Sequence, residues 1–214
     1  MPTLLAGVLA RVVGYLLGSI NTGIIISRVF FHDDVRTHGS GSAGMTNMIR
    51  TYGKAAGAGT AVGDVLKGVC AALLGGLLFS AFGAGLAPVS GRYLAGIAAM
   101  FGHMFPIYFG FKGGKGVLCA AGAVVATLPQ LVLALLVVFL VQFAITRIVS
   151  LGSIIVAAAY PFFALWFLLT SGIAGASLVV CVACAFGMAG MVIYMHRSNI
   201  SRLRNGTEYR FTKK

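Results

Sequence analysis

Seven apolar stretches, at 3–31, 55–82, 93–109, 116–128, 131–146, 149–169 and 173–195, are separated by short segments that hold most of the charge. The longer ones reach the roughly 20 residues an α-helix needs to cross a bilayer core. Of 214 residues, 59% are hydrophobic and 9% charged, with a mean hydropathy of +0.97. A soluble domain of this length has no use for so much apolar surface, so the surrounding solvent is lipid. The expected fold is an all-α, polytopic integral membrane helix bundle, one domain over residues 1–214.

Charge parity sets the expected number of crossings. The stretch 116–146 is too long for one span and is interrupted at Leu128-Pro129-Gln130. Counting it as two passes gives seven transmembrane helices. Arg36, Arg50, Lys54, Lys112, Lys115, Arg147 and the basic tail from Arg197 to Lys213 and Lys214 then share one face, with Arg92 opposite. Cytoplasmic loops carry the lysine and arginine excess, so the N-terminus is expected outside and the C-terminus in the cytoplasm. With six crossings, Arg147 and the tail would move to the other face. The short pass at 116–128 is expected to pack inside the bundle or to sit in thinned lipid. No basic segment precedes the first apolar run, which reads as a retained span rather than a cleaved signal.

The formal net charge is +12, and the acids are only Asp33, Asp34, Asp64 and Glu208. Because the cations lie between apolar runs, they suit anionic substrates and lipid headgroups rather than nucleic acid. So few acids leave little for a carboxylate metal site, and neither metal nor cofactor is expected. Cys181 and Cys184 form a C-x-x-C, but Val180, Val182, Ala183 and Ala185 surround them with apolar sequence, which favours small buried hydrophobes over a redox or zinc pair.

Chemistry concentrates in three polar segments. From His103 the chain runs through Phe105-Pro106 to Gly110, Lys112, Gly113, Gly114, Lys115 and Gly116. Glycines let the backbone approach a ligand, successive free N–H groups can form an anion nest, and the next helix points its positive end at the loop. The bland alternative is a basic turn that only fixes topology. The Walker spacing is not met, since the register from Gly110 to Lys115 is wrong and Val117 carries no hydroxyl. The second segment runs Gly39-Ser40-Gly41-Ser42-Ala43-Gly44 into Thr46, Asn47 and Arg50, so that hydroxyl, amide and guanidinium groups can converge on one ligand. The third holds His196, Asn199, Arg202, Leu203, Gly206 and Glu208, with Gly206 ending a helix and Glu208 able to tie down an arginine. Within the apolar spans, Gly14 and Gly18, like Gly59 and Gly63, have small-x-x-x-small spacing for close packing. Asn21 must find a partner there. Asp64 and Lys67, three apart on one helical face, either pair structurally or serve the site. His103 is either a satisfied interfacial histidine or a ligand contact. All three segments fall on one face of the expected topology, where they could hold phosphates and an oxyanion at the lipid–water boundary.

Taken together and in order from residue 18 to 208, these motifs resemble the bacterial acyl-phosphate-dependent glycerol-3-phosphate acyltransferases. The matching residues are Gly18-Ser19-Ile20 with Gly23, Gly39-Ser40-Gly41 through Gly44, Thr46 and Asn47, Asp64 with Lys67-Gly68, Gly102-His103 with Phe105-Pro106, Phe111 to Val117, and His196, Asn199, Arg202-Leu203, Gly206 and Glu208. Asn21 replaces a proline usual in the family, which removes the residue expected to kink the first helix. Ser42 replaces an asparagine, which removes a polar contact.

The resemblance implies transfer of a fatty acyl group from acyl phosphate to the 1-hydroxyl of glycerol 3-phosphate, giving lysophosphatidic acid and phosphate. Ser40, Lys112, His196 and Asn199 are the expected catalytic residues. Asn47, Arg50, His103, Gly113, Gly114, Lys115, Gly116 and Arg202 are expected to bind substrate, with the glycines at the acyl-phosphate group. Asp64, Lys67 and Glu208 are expected to be structural. The hydroxyl proton goes either to His196 or to the donor's own phosphate. A soluble enzyme that makes the acyl phosphate is a candidate partner at the basic face, and the location implied is the bacterial inner membrane. The H-x-x-x-x-D signature of other acyltransferases is missing, because Thr37, Ala43, Tyr108 and Ser201 stand fifth after the four histidines. A transporter or flippase for an anionic solute is the alternative, and would show inverted repeats, of which the sequence has no clear sign. A non-catalytic scaffold for lipid enzymes is a weaker one.

Overall fold

The computed structural model describes residues 2–82 and 85–211. Lys213 and Lys214, counted above with the basic tail, and part of the turn before Pro88 lie outside the described residues. The chain forms two compact units, Met1–Thr127 and Leu128–Lys214.

In the first unit the leading apolar stretch is two helices rather than one. Helix α1 spans Pro2–Ser19 and α2 spans Thr22–Phe31. The interruption survives the loss of the family's proline because Asn21 supplies it. With φ −89° and ψ 103°, Asn21 leaves helical geometry and its side-chain oxygen caps α2 by accepting from the Ile24 N–H at 3.3 Å. The Asn21 amide nitrogen also donates to the His103 carbonyl at 3.4 Å, the partner its burial demands. After a short 3₁₀ turn at Val35–Thr37 come α3 (Met45–Tyr52), α4 (Lys54–Ala81), α5 (Pro88–Met104), a second 3₁₀ turn at Ile107–Phe109, and α6 (Val117–Thr127).

Small residues set how closely these helices approach. A Cβ on Gly14 or Gly18 would strike the carbonyls of Ala95 and Ala99, so α1 lies directly on the backbone of α5. Gly63 likewise admits Thr22 of α2, and Gly59 faces Ile26. Gly68 and Gly122 bring α4 against α6, which packs on both α4 and α5. At 11 residues, α6 is far shorter than a bilayer core requires, so packing within its unit accounts for its length.

The second unit contains α7 (Pro129–Thr146), α8 (Val149–Thr170), α9 (Gly175–Met195) and α10 (Arg197–Arg204). Arg147, in left-handed conformation, turns α7 into α8. Pro161 is accommodated within α8. Cys181 and Cys184 are buried on α9 as free thiols.

Among the described residues, five helical stretches are long and apolar enough to cross a membrane: Pro2–Phe31, with its interruption, and the helices α4, α7, α8 and α9. The 17-residue α5 and the 11-residue α6 are shorter. The protein is thus a multi-pass, helical membrane protein.

Candidate active site

The loop between α2 and α3 is built around one buried amide. Asn47 Nδ2 donates to the carbonyls of Val35 and His38, both at 3.0 Å, and its Oδ1 accepts from the Ser40 N–H at 3.0 Å. Asn47, expected to touch substrate, therefore directs its amide into its own loop, and the Ser40 hydroxyl is left exposed above it. Gly39 is required beside it, since φ is +55° and a Cβ would strike the Asn47 side chain. Arg50 is exposed on α3.

A second fastening joins this loop to the glycine-lysine loop. Arg36 forms a two-pronged pair with Asp34, Nε to Oδ1 at 2.9 Å and NH2 to Oδ2 at 2.7 Å. Its remaining NH1 donates to the carbonyls of Phe109 at 2.7 Å and Lys112 at 2.9 Å. The planar guanidinium serves all four oxygens at once, which an ammonium could not do. The Arg36 bonds, with a contribution from Arg28, hold the Asp34 carboxyl far below the usual carboxylate range even though burial opposes this. Next to it, Asp33 accepts from the Tyr52 hydroxyl at 2.8 Å and pairs with His38 Nε2 at 2.7 Å. Burial, and then the bond to Asp33, push the Tyr52 hydroxyl up to about 12. A weaker tie, from the Ala43 N–H to the Gly113 carbonyl at 3.5 Å, also links the two loops.

The glycine-lysine loop differs from the expected anion nest. The N–H groups of Gly113 and Gly114 are not free. They donate to the carbonyls of Met104 and His103, both at 3.1 Å, folding the loop back onto the end of α5. The glycines are needed for that approach. A Cβ on Gly114 would collide with the Nε2 edge of the His103 ring, and Gly116, with φ +81°, lies against Met100 and Met104. The Ala120 N–H donates to the Gly116 carbonyl at 2.8 Å, so α6 starts directly at the end of the loop, with the positive end of its dipole there. Lys112 is exposed and Lys115 half-buried. Phe111 carries φ +58°, a strained value for a non-glycine residue immediately before Lys112.

Beneath the loop lies a buried charged cluster. Lys67 Nζ is 2.8 Å from Asp64 Oδ1, 2.8 Å from His103 Nδ1 and 3.0 Å from the Ile20 carbonyl. Asp64 Oδ1 takes no aligned hydrogen bond and is held by the charge of the ammonium. The i,i+3 spacing foretells the Asp64–Lys67 pair, whereas the arrival of His103 from another helix was not legible.

In the second unit, Glu208 gathers the tail. Its Oε1 accepts from Ser150 at 2.8 Å and from Asn199 Nδ2 at 2.7 Å, and its Oε2 from Arg202 Nε at 2.7 Å. Gly206, with φ +69°, ends α10 and turns the chain so that Glu208 comes back over it. Burial raises the Glu208 carboxyl, but the bonds from Asn199, Ser150 and Arg202 outweigh it and hold it below its ordinary value. A lowered carboxyl stabilises the fold above the ordinary glutamate pKa of about 4.3 and loses that contribution as pH falls through the folded value. Amide exchange across α10 should therefore accelerate on acidification below about pH 4.3. Glu208→Gln should abolish that acid step and loosen α10 at neutral pH. An acid profile unchanged by the substitution would remove Glu208 from this role.

His196 is buried at the end of α9, and its Nδ1 lies 2.7 Å from the Val192 carbonyl. A carbonyl can only accept, so Nδ1 carries the proton and the lone pair of the neutral ring is on Nε2. Arg36, Asp34 and Ser150 escaped the sequence reading. The adjacent acids are a local signal that could have marked an ion pair for Arg36, but nothing local marks its bonds to carbonyls more than 70 residues away.

The family model described as glycerol-3-phosphate acyltransferase matches residues 8–206. The chain is 44% identical over 207 residues to the glycerol-3-phosphate acyltransferase of Clostridioides difficile (strain 630), covering 97% of this chain and 96% of the relative. It is 42% identical over 199 residues to that of Geobacter sulfurreducens, covering 93% and 94%. Two crystal structures of PlsY (YgiH), an integral membrane glycerol 3-phosphate acyltransferase, superpose on it at 36% identity. The glycerol 3-phosphate form has a TM-score of 0.81 and coverage of 96% of each chain, and the lysophosphatidic acid form has a TM-score of 0.78 and coverage of 96% and 95%.

Proposed function

This chain belongs to the glycerol-3-phosphate acyltransferase family, and from that premise we propose that it transfers a fatty acyl group from an acyl phosphate to the 1-hydroxyl of sn-glycerol 3-phosphate. The hydroxyl oxygen attacks the acyl carbonyl carbon and forms the ester. The bond from that carbon to the phosphate oxygen breaks, the proton leaves the hydroxyl, and lysophosphatidic acid and inorganic phosphate depart. Two anions must meet against their own repulsion, so fixed cations and oriented N–H groups are the main requirement.

The observation that carries this reading is the pair of loops in the first unit, which presents Ser40 and Lys112 exposed on backbones fastened together by Arg36. Ser40, Arg50 and Lys112 hold glycerol 3-phosphate, and Asn47 positions Ser40. Gly113, Gly114 and Gly116 let the donor phosphate close on the backbone, with Lys115 and the start of α6 supplying positive charge. In the second unit Asn199 and Arg202 bind substrate, held by Glu208. His196 has the tautomer that a general base requires, with its basic nitrogen at Nε2. The whole chain, residues 1–214, acts as one acyltransferase domain in the bacterial inner membrane. It crosses seven times, with its N-terminus outside and its basic face in the cytoplasm, where a soluble acyl-phosphate-producing enzyme delivers the donor.

The test is acyl transfer by the purified protein in detergent, given a synthetic long-chain acyl phosphate and glycerol 3-phosphate. Lysophosphatidic acid should form with no second protein present, and acyl-coenzyme A should not replace the donor. Binding of glycerol 3-phosphate without product would favour a carrier for anionic solutes instead.

A further inference from the structure

Phe111 holds a left-handed backbone, which L side chains disfavour by a factor of about 5 to 30. Its φ is +58° and that of Gly110 before it is +67°, so two consecutive residues are left-handed just ahead of Lys112. Packing of the ring does not offset this strain, since Phe111 is 55% exposed. Hydrogen bonds to the main chain hold the turn instead. The Phe111 N–H donates to the Pro106 carbonyl at 3.0 Å. The carbonyls of Phe109 and Lys112, one on each side of the left-handed pair, both accept from Arg36 NH1. Arg36 is itself fixed. Asp34 accepts from its Nε, its NH2 and its backbone N–H, and Arg28 NH2 joins the same carboxylate at 3.0 Å. Asn47 Nδ2 bonds to the carbonyls of Val35 and His38, which flank Arg36, while Asn47 Oδ1 accepts from the Ser40 N–H. A run of hydrogen bonds thus leads from the backbone of Ser40 to that of Lys112, and the Arg36 side chain carries it from one loop to the other.

We infer that Arg36 is a positioning residue of the reaction: its grip on the two carbonyls keeps Phe111 left-handed and so presents Lys112 to the glycerol 3-phosphate that Ser40 also holds. The inference rests on the proposed reaction and adds to it a residue that acts through Lys112. Without the grip, Phe111 turns to negative φ, a swing of roughly 120° that re-aims Lys112. Only about one molecule in 5 to 30 then has the lysine in place. Saturating substrate draws the turn back, so the loss falls on apparent affinity rather than on turnover.

Kinetics of Arg36→Lys test this, because lysine keeps the positive charge and loses both the fork to Asp34 and the paired bonds to the carbonyls. KM for glycerol 3-phosphate should rise about 5- to 30-fold, with kcat within about twofold of the wild type. A merely structural loss would instead lower kcat by removing folded enzyme and leave KM unchanged. Glycine takes positive φ about as readily as negative, so at position 111 it removes the need for the grip. With Phe111→Gly present, Arg36→Lys should raise that KM by less than about threefold over Phe111→Gly alone. An unchanged KM in Arg36→Lys, a fall confined to kcat, or an equal KM rise in both backgrounds overturns the inference. Should Arg36→Lys not fold, Asp34→Asn keeps the guanidinium and weakens its anchor. It should raise the same KM by a smaller factor, and a rise that Phe111→Gly does not diminish, or no rise, overturns the inference. Failure of the wild type to form lysophosphatidic acid would instead strike the proposed reaction. The two ratios are then read in the Kd for glycerol 3-phosphate by calorimetry, where equal ratios overturn the grip by themselves.

Discussion

Lys112→Ala is expected to reduce kcat/KM by about 10²- to 10³-fold, the range seen when one fixed electrostatic contact to a developing charge is removed. Normal folding should accompany the loss. Lys112 is held in its loop by its backbone carbonyl, which accepts from Arg36, while the side chain is exposed. Truncating the side chain removes a cation but none of the bonds that shape the loop. Ser40→Ala follows the same logic, because the Ser40 N–H rather than its hydroxyl bonds to Asn47. The measurement is steady-state acyl transfer alongside the thermal unfolding midpoint in the same detergent. Near-normal turnover in both variants, with folding intact, would defeat the assignment of these loops to substrate.

Lys67→Met should have the opposite profile, a large loss of stability from a residue remote from solvent. It strands the Asp64 carboxylate without a counter-charge and deprives the Ile20 carbonyl and the His103 ring of their contact with the ammonium. Breaking a buried pair from one side costs about 3–5 kcal/mol, enough to erase much of the stability of an ordinary domain. Asp64→Asn should be costly for the mirror reason. The double variant Asp64→Asn/Lys67→Met, which leaves no net buried charge, should recover a substantial part of the loss, since neutral replacement of a whole pair is far cheaper than halving it. Folded yield and thermal midpoint after detergent extraction are the readouts. Additive losses in the double variant would show that the two groups are not coupled.

Local patterns explain what could be anticipated. Hydropathy marked every apolar stretch that became a helix, and the glycine spacing on α1 foresaw its close packing, which Ala95 and Ala99 provide. Glu208 could be linked to an arginine because it is one of four acids and lies six residues from Arg202. Long-range polar geometry could not be anticipated. The glycine pattern suggested unpaired N–H groups, yet two of them turn back to α5 because the loop doubles over on the helix before it. His103 and Lys67 are 36 residues apart, and no periodicity joins them. Asn47 resembled a ligand group because Gly, Ser, Thr and Asn cluster around it. Only the fold reveals that its amide organises the loop carrying Ser40.

The gap between α1 and α2 also bears on what can be buried. In an uninterrupted helix, the Ile20 oxygen would receive the Ile24 amide proton. Here the Asn21 side chain takes that proton, and the liberated oxygen coordinates the ammonium of Lys67. A lysine that would otherwise crave water thus finds a main-chain ligand in a dry interior. The carbonyl released at this joint, together with Asp64, is what makes a cation tolerable there.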